Sequence, residues 1–189
     1  DGGADRRYDR IGKLLDMSRI EAGAVEITVR AVGRDDVIAA ALASLSEPTG
    51  RGVIELDDDG PAALADAGLF ERVLANIVAN ALAHSPADRK ILVQATSRDD
   101  TAVMRIVDHG PGISPEARAT MFQPFQRFGD DTSGGVGLGL AVARGFMTAM
   151  HGVLSAEETP GGGLTVTLSL PLAGKSDALP LPSPAGAAS

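Results

Sequence analysis

Gly134-Gly135-Val136-Gly137-Leu138-Gly139-Leu140 runs straight into an apolar stretch whose period predicts a helix over 138–150. Glycines at alternate positions let backbone N–H groups approach an anion closely. A helix N-terminus immediately behind them adds a favourable dipole. Read this way the stretch is a phosphate cradle; taken alone it also reads as a flexible glycine hinge. It is not a Walker loop, because the Lys-Ser/Thr pair is missing. It is not a dinucleotide fingerprint either, because no strand leads directly into the glycines.

Three further elements lie upstream. Asp108-His109-Gly110-Pro111-Gly112-Ile113 follows a predicted strand over 102–107. A carboxylate at a strand end can accept a hydrogen bond from an exocyclic amine, and the glycines leave room for a flat ring. The same residues are also ordinary turn formers. Phe122-Gln123-Pro124-Phe125-Gln126-Arg127-Phe128 places three of the chain's five Phe residues within a stretch, 108–136, that has little periodicity. Loops this long inside a compact domain are usually functional. The Phe residues are either anchors of a mobile lid or a small satellite core, and Arg127 is placed to reach a phosphate. Finally, Asn76 and Asn80 sit four apart on a helix expected over 66–83, so they share one face. An amide oxygen is a hard ligand suited to Mg²⁺; a polar solvent face is the alternative.

The remaining elements frame these. An amphipathic helix is expected over 5–23, suited to packing against another chain, followed by a short strand over 25–29. An Ala-rich helix follows over 35–45, then a strand over 53–56. Leu69, Val73, Leu74, Ile77, Val78 and Ala81 are expected on the buried side of the Asn-bearing helix. Strands over 91–96 and 102–107 form a hairpin through 97–100, and strands over 153–157 and 164–170 are joined by Thr159-Pro160-Gly161-Gly162-Gly163. Beyond Pro171 the Ala/Pro/Ser-rich composition predicts disorder over 172–189. The order implies a two-layer α/β sandwich, a mixed sheet with helices on one face.

Composition narrows the ligand. The net charge of −8 disfavours nucleic acid and anionic membranes, so an anion must be held by local features. The chain has no Cys, and His84, His109 and His151 show no metal-ligand spacing. No apolar run reaches the ~18 residues of a membrane span.

Joined in this order, the motifs resemble the ATP-binding catalytic domain of sensor histidine kinases, within the gyrase–Hsp90–histidine kinase–MutL superfamily and its Bergerat ATP-binding fold. The N box matches Leu74 to Asn80, the first glycine box Asp108 to Ile113, the F box Phe122 to Phe125, and the second glycine box Gly135 to Leu140. Gly161-Gly162-Gly163 matches the closing box, so the resemblance covers 35–171. Leu14-Leu15-Asp16-Met17-Ser18-Arg19-Ile20-Glu21-Ala22-Gly23 looks like the second helix of a dimerisation and phosphoacceptor domain, with its linker ending at 34. Pro124 to Asp130 and Thr159 to Leu164 look closest to potassium-responsive Kdp-type sensor kinases.

By this resemblance Asn80 coordinates Mg²⁺, Asn76 supports it, and Arg127 joins them as a catalytic candidate. Asp108 takes the adenine amine. Gly110, Gly112, Ile113 and Phe125 line the nucleotide pocket. Gly135, Val136, Gly137, Leu138, Gly139 and Leu140 face the phosphates, and 114–134 forms a mobile lid. ATP-hydrolysing members carry Glu one turn before the metal Asn; here that position is Asn76, a poor general base, which favours phosphotransfer to a histidine over hydrolysis. The chain departs from the pattern at Ala83-His84, where many members have Lys-Tyr. It also has no phosphoacceptor His, so it is not expected to autophosphorylate alone. The implied partners are the phosphoacceptor domain of the same protein, a cognate response regulator, and a second copy through 5–23; nucleic acid is not among them. The opening Asp1 suggests a piece of a longer chain, the cytoplasmic part of a membrane sensor. Two rival expectations stand beside this: a nucleotide-binding regulatory module with lost catalysis, and an ATP-driven clamp, which Asn76 disfavours.

Overall fold

A computed structural model describes residues 2–45, 54–56, 60–126 and 137–174. The elements run α1 Gly2–Glu21, β1 Arg30–Val32, α2 Arg34–Ala43, β2 Ile54–Leu56, β3 Ala63–Ala65, α3 Ala67–His84, β4 Ile91–Arg98, β5 Thr101–Val107, α4 Pro115–Thr120, α5 Gly139–Ala149, β6 Val153–Glu158 and β7 Leu164–Pro171. Five strands make one sheet in the order β2-β4-β5-β7-β6, parallel at β2/β4 and antiparallel elsewhere. The fold is therefore a mixed-sheet α/β sandwich.

Its core forms because strand alternation and helix period present apolar stripes to each other. Ile91 and Val93, Met104 and Ile106, and Val166, Leu168 and Leu170 cover one side of the sheet. Phe70, Val73, Leu74, Ile77 and Ala81 of α3, with Val142, Phe146 and Met147 of α5, meet them. The N-terminus of α3 is capped by Asp66, whose Oδ1 accepts from Leu69 N–H at 3.0 Å. Within the Asn-bearing helix, Phe70 takes the central buried place (2% exposed), whereas Leu69 is only half-buried at its edge.

Three local expectations change. No strand forms over 25–29. The strand lies at β1, which pairs with β3, a strand that sequence periodicity does not reveal. The segment before β1 is held differently: Thr28 N–H donates to Asp66 Oδ2 at 2.8 Å, so a carboxylate takes the bond that a ladder would have used. Within the expected lid, α4 forms behind Ser114, whose Oγ accepts from Ala117 N–H at 3.2 Å. The backbone N–H of Glu116, then the Ser114 hydroxyl, hold the Glu116 carboxyl below its ordinary range. Leu172 and Ala173, part of the expected disordered tail, donate to Asp100 O and Ala62 O at 2.8 and 3.0 Å. The other tail residues from 175 onward lie outside the described residues.

Gly163 is where the fold tolerates no side chain. Its φ is +112°, and a Cβ there would lie 2.2 Å from Asp108 O. Gly161 shares the left-handed conformation at φ +91° but has nothing within 4 Å. Gly163→Ala is expected to destabilise the chain by about 3–4 kcal/mol, from backbone clash and strain together. Gly161→Ala is expected to cost only the strain, about 1–2 kcal/mol. Urea denaturation midpoints of the two variants measure the difference, and equal midpoints would contradict the close approach.

Candidate functional site

Four segments distant in sequence converge at one end of the sheet. The first is the middle and C-terminal half of α3. Val73, Leu74, Ile77, Val78 and Ala81 are buried, which turns Asn76 and Asn80 toward the opposite, half-buried face, one turn apart. No hydrogen bond engages either side-chain amide among the described residues.

The second segment is the start of α5. A Cβ on Gly139 would stand 3.2 Å from Asn76 Oδ1, so the missing side chain lets the helix start settle against α3. The N-cap, Leu138, supplies no side-chain hydrogen bond. The first N–H groups of α5 therefore lack a side-chain cap, the condition under which a helix start receives an anion. Leu138 itself is 1% exposed, so its side chain belongs to the core. Gly137 has φ +73°, and its carbonyl accepts from Phe125 N–H at 2.9 Å. A Cβ at Gly137 would lie 2.5 Å from Gln126 O. The cradle entrance is thus clamped to the Phe-rich segment. Phe122 of that segment packs on the core, while Phe125 is 64% exposed at φ +63°.

The third segment follows β5. Asp108 is only 4% exposed. Its Oδ1 accepts from Gly110 N–H and Leu164 N–H, each at 2.9 Å. No described residue bonds its other oxygen, and that oxygen is not sealed off. Gly110 must be glycine, because a Cβ would lie 2.8 Å from His84 O. His109 N–H donates to Ser85 Oγ at 3.3 Å. The loop therefore rests on the end of α3. Gly112, at φ +74°, approaches Gly163, and Ile113 is packed against the core.

The fourth segment is the turn into β7, and it holds two residues that sequence reasoning missed. Alternation puts Thr165 on the outer face with Thr167 and Ser169. It is nevertheless 1% exposed, with its hydroxyl 2.9 Å from that of Thr159, itself 6% exposed. The only sequence signal was position, on either side of the glycine turn 161–163.

Asn76, Asn80, Asp108, Gly110, Gly112, Ile113, Gly137, Leu138, Gly139 and Leu140 are thus brought to one region. Arg127, Gly135 and Val136, with lid residues 127–134, lie outside the described residues. The described residues contain no cluster of three or more His, Cys, Asp or Glu suited to a metal. A divalent cation here would rest on amide oxygen and on whatever oxygens a ligand brings. The Asn80 amide, half-buried and unengaged, fits that requirement.

Known proteins resemble this chain in sequence and in fold. Residues 65–174 match the family described as histidine kinase-, DNA gyrase B-, and HSP90-like ATPase. The sensor protein KdpD of Rathayibacter rathayi is 47% identical over 161 residues, 85% of this chain and 19% of that protein. KdpD of Mycobacterium tuberculosis (strain ATCC 25618 / H37Rv) is 41% identical over 167 residues, 85% of this chain and 19% of that protein. This chain therefore spans about a fifth of the length of these curated relatives. Among solved structures, full-length ShkA in complex with AMPPNP superposes with TM-score 0.75 at 26% identity, over 95% of this chain and 38% of that one. The Acinetobacter baumannii histidine kinase AdeS shares the fold, with TM-score 0.71 at 23% identity, over 87% of this chain and 77% of that one.

The buried Thr pair provides a measurable consequence. Thr165→Val keeps the shape but leaves the Thr159 hydroxyl unpaired in a closed environment. It is expected to cost about 1–2 kcal/mol of unfolding free energy. The double variant Thr159→Val/Thr165→Val is expected to recover part of that loss; additive losses in urea titrations would show that the two hydroxyls are not coupled.

Proposed function

This chain belongs to the histidine kinase-, DNA gyrase B- and HSP90-like ATPase family, and from that premise we propose that it binds Mg·ATP and passes the γ-phosphoryl group to a histidine on a separate phosphoacceptor domain. The observation that carries this reading is Asp108: a buried carboxylate with one oxygen accepting from two backbone N–H groups and the other without a partner among the described residues. That second oxygen accepts the exocyclic amine of adenine. The saturated oxygen holds the carboxylate in orientation. Gly110 and Gly112, lacking side chains, let the loop close on His84 O and Gly163 O beside the carboxylate, and the base lies against its backbone.

The uncapped start of α5 receives the phosphates through backbone N–H groups of the 137–140 stretch. Asn80 would hold Mg²⁺ through its amide oxygen, and the ion would neutralise charge on the transferring group. In the transfer, the γ-phosphorus forms a bond to an imidazole nitrogen of the acceptor. The bond to the bridging β,γ-oxygen breaks and the electron pair leaves with ADP. Asn76 lies where a water-activating carboxylate would stand. An amide cannot take a proton from water, so the γ-phosphoryl is spared from hydrolysis. Positioning and electrostatics then carry the rate.

Similarity to KdpD supports potassium- or osmolarity-linked signalling, with a response regulator as the onward acceptor. Ile11, Leu14 and Leu15 of α1 are exposed by 54%, 47% and 58%, which supports pairing with a second copy through this helix. Among the described residues no helix is long and apolar enough to cross a membrane. We place the domain on the cytoplasmic side of a membrane sensor, where ATP is available. One observation favours a second reading, a nucleotide-binding module with weak catalysis. Ala83 is exposed at the end of α3 and can offer a phosphate no charge.

Titration with a fluorescent ATP analogue and transfer of labelled phosphate to a separate acceptor domain test the two readings. Binding at or below about millimolar with Mg²⁺, and label on the acceptor, are expected. Asn80→Ala is expected to lower transfer by about 100-fold or more. Binding without any transfer would favour the regulatory module, and no binding would rule out both readings.

A further inference from the structure

A cavity of about 390 Å³ opens where α1 and the segment after it meet α3 and α5. Asp16 and Arg19 border it from α1, Val25 and Glu26 from the segment after α1, and Leu69 and Arg72 from α3. Phe146 of α5 borders it too, with the Arg72 guanidinium 5.4 Å from its ring centroid. Nearby, α1 reaches α5 at Gly145, where a Cβ would lie 2.6 Å from Ile20 Cδ1. None of the bordering residues belongs to the candidate nucleotide site. Arg72 stands two turns of α3 before Asn80, about 12 Å along the helix axis.

The polar groups of this cavity are balanced in sign. Asp16 is 4% exposed, and its Oδ2 accepts from Arg72 Nη2. Its Oδ1 has no partner among the described residues and is not sealed off. A buried carboxylate oxygen is costly to leave unbonded, so a donor arriving from a ligand is favoured there. A guanidinium carries five N–H donors. Arg72 directs one Nη at Asp16, and its remaining donors have no partner among the described residues. Arg19 adds a second guanidinium and Glu26 a second carboxylate, both on exposed residues. The two cations and two carboxylates leave the walls without net charge. A simple anion or a simple cation therefore meets attraction from one pair and repulsion from the other. A molecule that carries both charges meets attraction from both. Val25 and Leu69, each half-buried, supply an apolar wall beside these groups.

We propose that this cavity is a binding site for a compact zwitterion, an α-amino acid with an aliphatic side chain. The ammonium donates to Asp16 Oδ1, the carboxylate accepts from Arg72 and Arg19, and the side chain lies on Val25 and Leu69. The charge spacing of an amino acid fits the bonded Asp16–Arg72 pair. Because the pair is joined at Oδ2 and Nη2, its free acceptor and its free donors lie side by side, and the two charges of an amino acid flank a single carbon. A diamine or a dicarboxylate sets a like charge against one member of the pair. An amino acid with a charged side chain sets that charge against the apolar wall, which cannot solvate it. The site does not depend on the nucleotide-binding reading above.

Calorimetric titration of the 189-residue chain with L-leucine tests the site, beside 3-methylbutylamine and 4-methylpentanoate, which keep the side chain and one charge each. L-Leucine is expected to bind with a Kd at or below about 1 mM, and each single-charge analogue about tenfold more weakly or not at all. Asp16→Asn removes the buried charge and is expected to weaken L-leucine by about tenfold or more. Arg19→Gln alters only an exposed side chain, so the fold and its melting temperature should hold while L-leucine weakens by about threefold or more. No heat of binding and no rise in melting temperature with L-leucine at about 10 mM overturns the proposal. An amine or an acid that binds as tightly as L-leucine also overturns it, because the cavity then recognises a single charge. L-Leucine binding undiminished in either variant places the ligand elsewhere and overturns the assignment of the cavity.

Discussion

The Asp108 carboxylate organises this molecule. One oxygen accepts from the N–H groups of Gly110 and Leu164, and the Asp108 N–H donates to Leu164 O at 2.9 Å. A single side chain thereby ends β5, shapes the following glycine turn and fixes the start of β7. Burying a carboxylate is unfavourable unless hydrogen bonds compensate, so the neighbouring backbone must keep its N–H groups aimed inward. That requirement explains Gly163 at φ +112° beside Asp108 O, and Gly110 against His84 O. The glycines serve the carboxylate, whose other oxygen has no partner among the described residues.

A second constraint is the close seating of α5 on α3. Asn76 faces Gly139 at one end, and Arg72 stacks on Phe146 at the other. Along this contact the molecule places its removable side chains carefully: Gly139 where the helix start must reach the Asn pair, Gly145 where α1 must reach α5. The amides of Asn76 and Asn80 are then left on a half-buried face with no hydrogen-bond partner among the described residues.

Much of this was legible before any coordinates. The 3.6-residue period of 67–84 and the alternation of 91–98, 101–107 and 164–171 predict the elements that form the core, because apolar stripes of that period bury in one way. The glycine- and Asn-centred motifs predict the site, since the backbone freedom and hard oxygen they supply are local properties of residue type. The errors also have local causes. Residues 25–29 alternate like a strand, but their backbone is held by Asp66 through Thr28, and pairing passes to 30–32. The short β3 is three residues long, too short for a period to appear. Thr165 alternates as a surface residue, yet the returning turn covers it and gives it Thr159.

The sequence by itself determined the element types, the order of the motifs, the family they resemble and the absence of a carboxylate at position 76, because each depends on residues close together in the chain. Tertiary structure alone decided which oxygen of Asp108 accepts the backbone N–H groups, that Leu138 turns its side chain into the core, and that Arg72 meets Asp16 fifty-six positions away. Those outcomes depend on distances between segments remote in sequence. Such distances are set by how the sheet and the helices pack, and no local pattern encodes them.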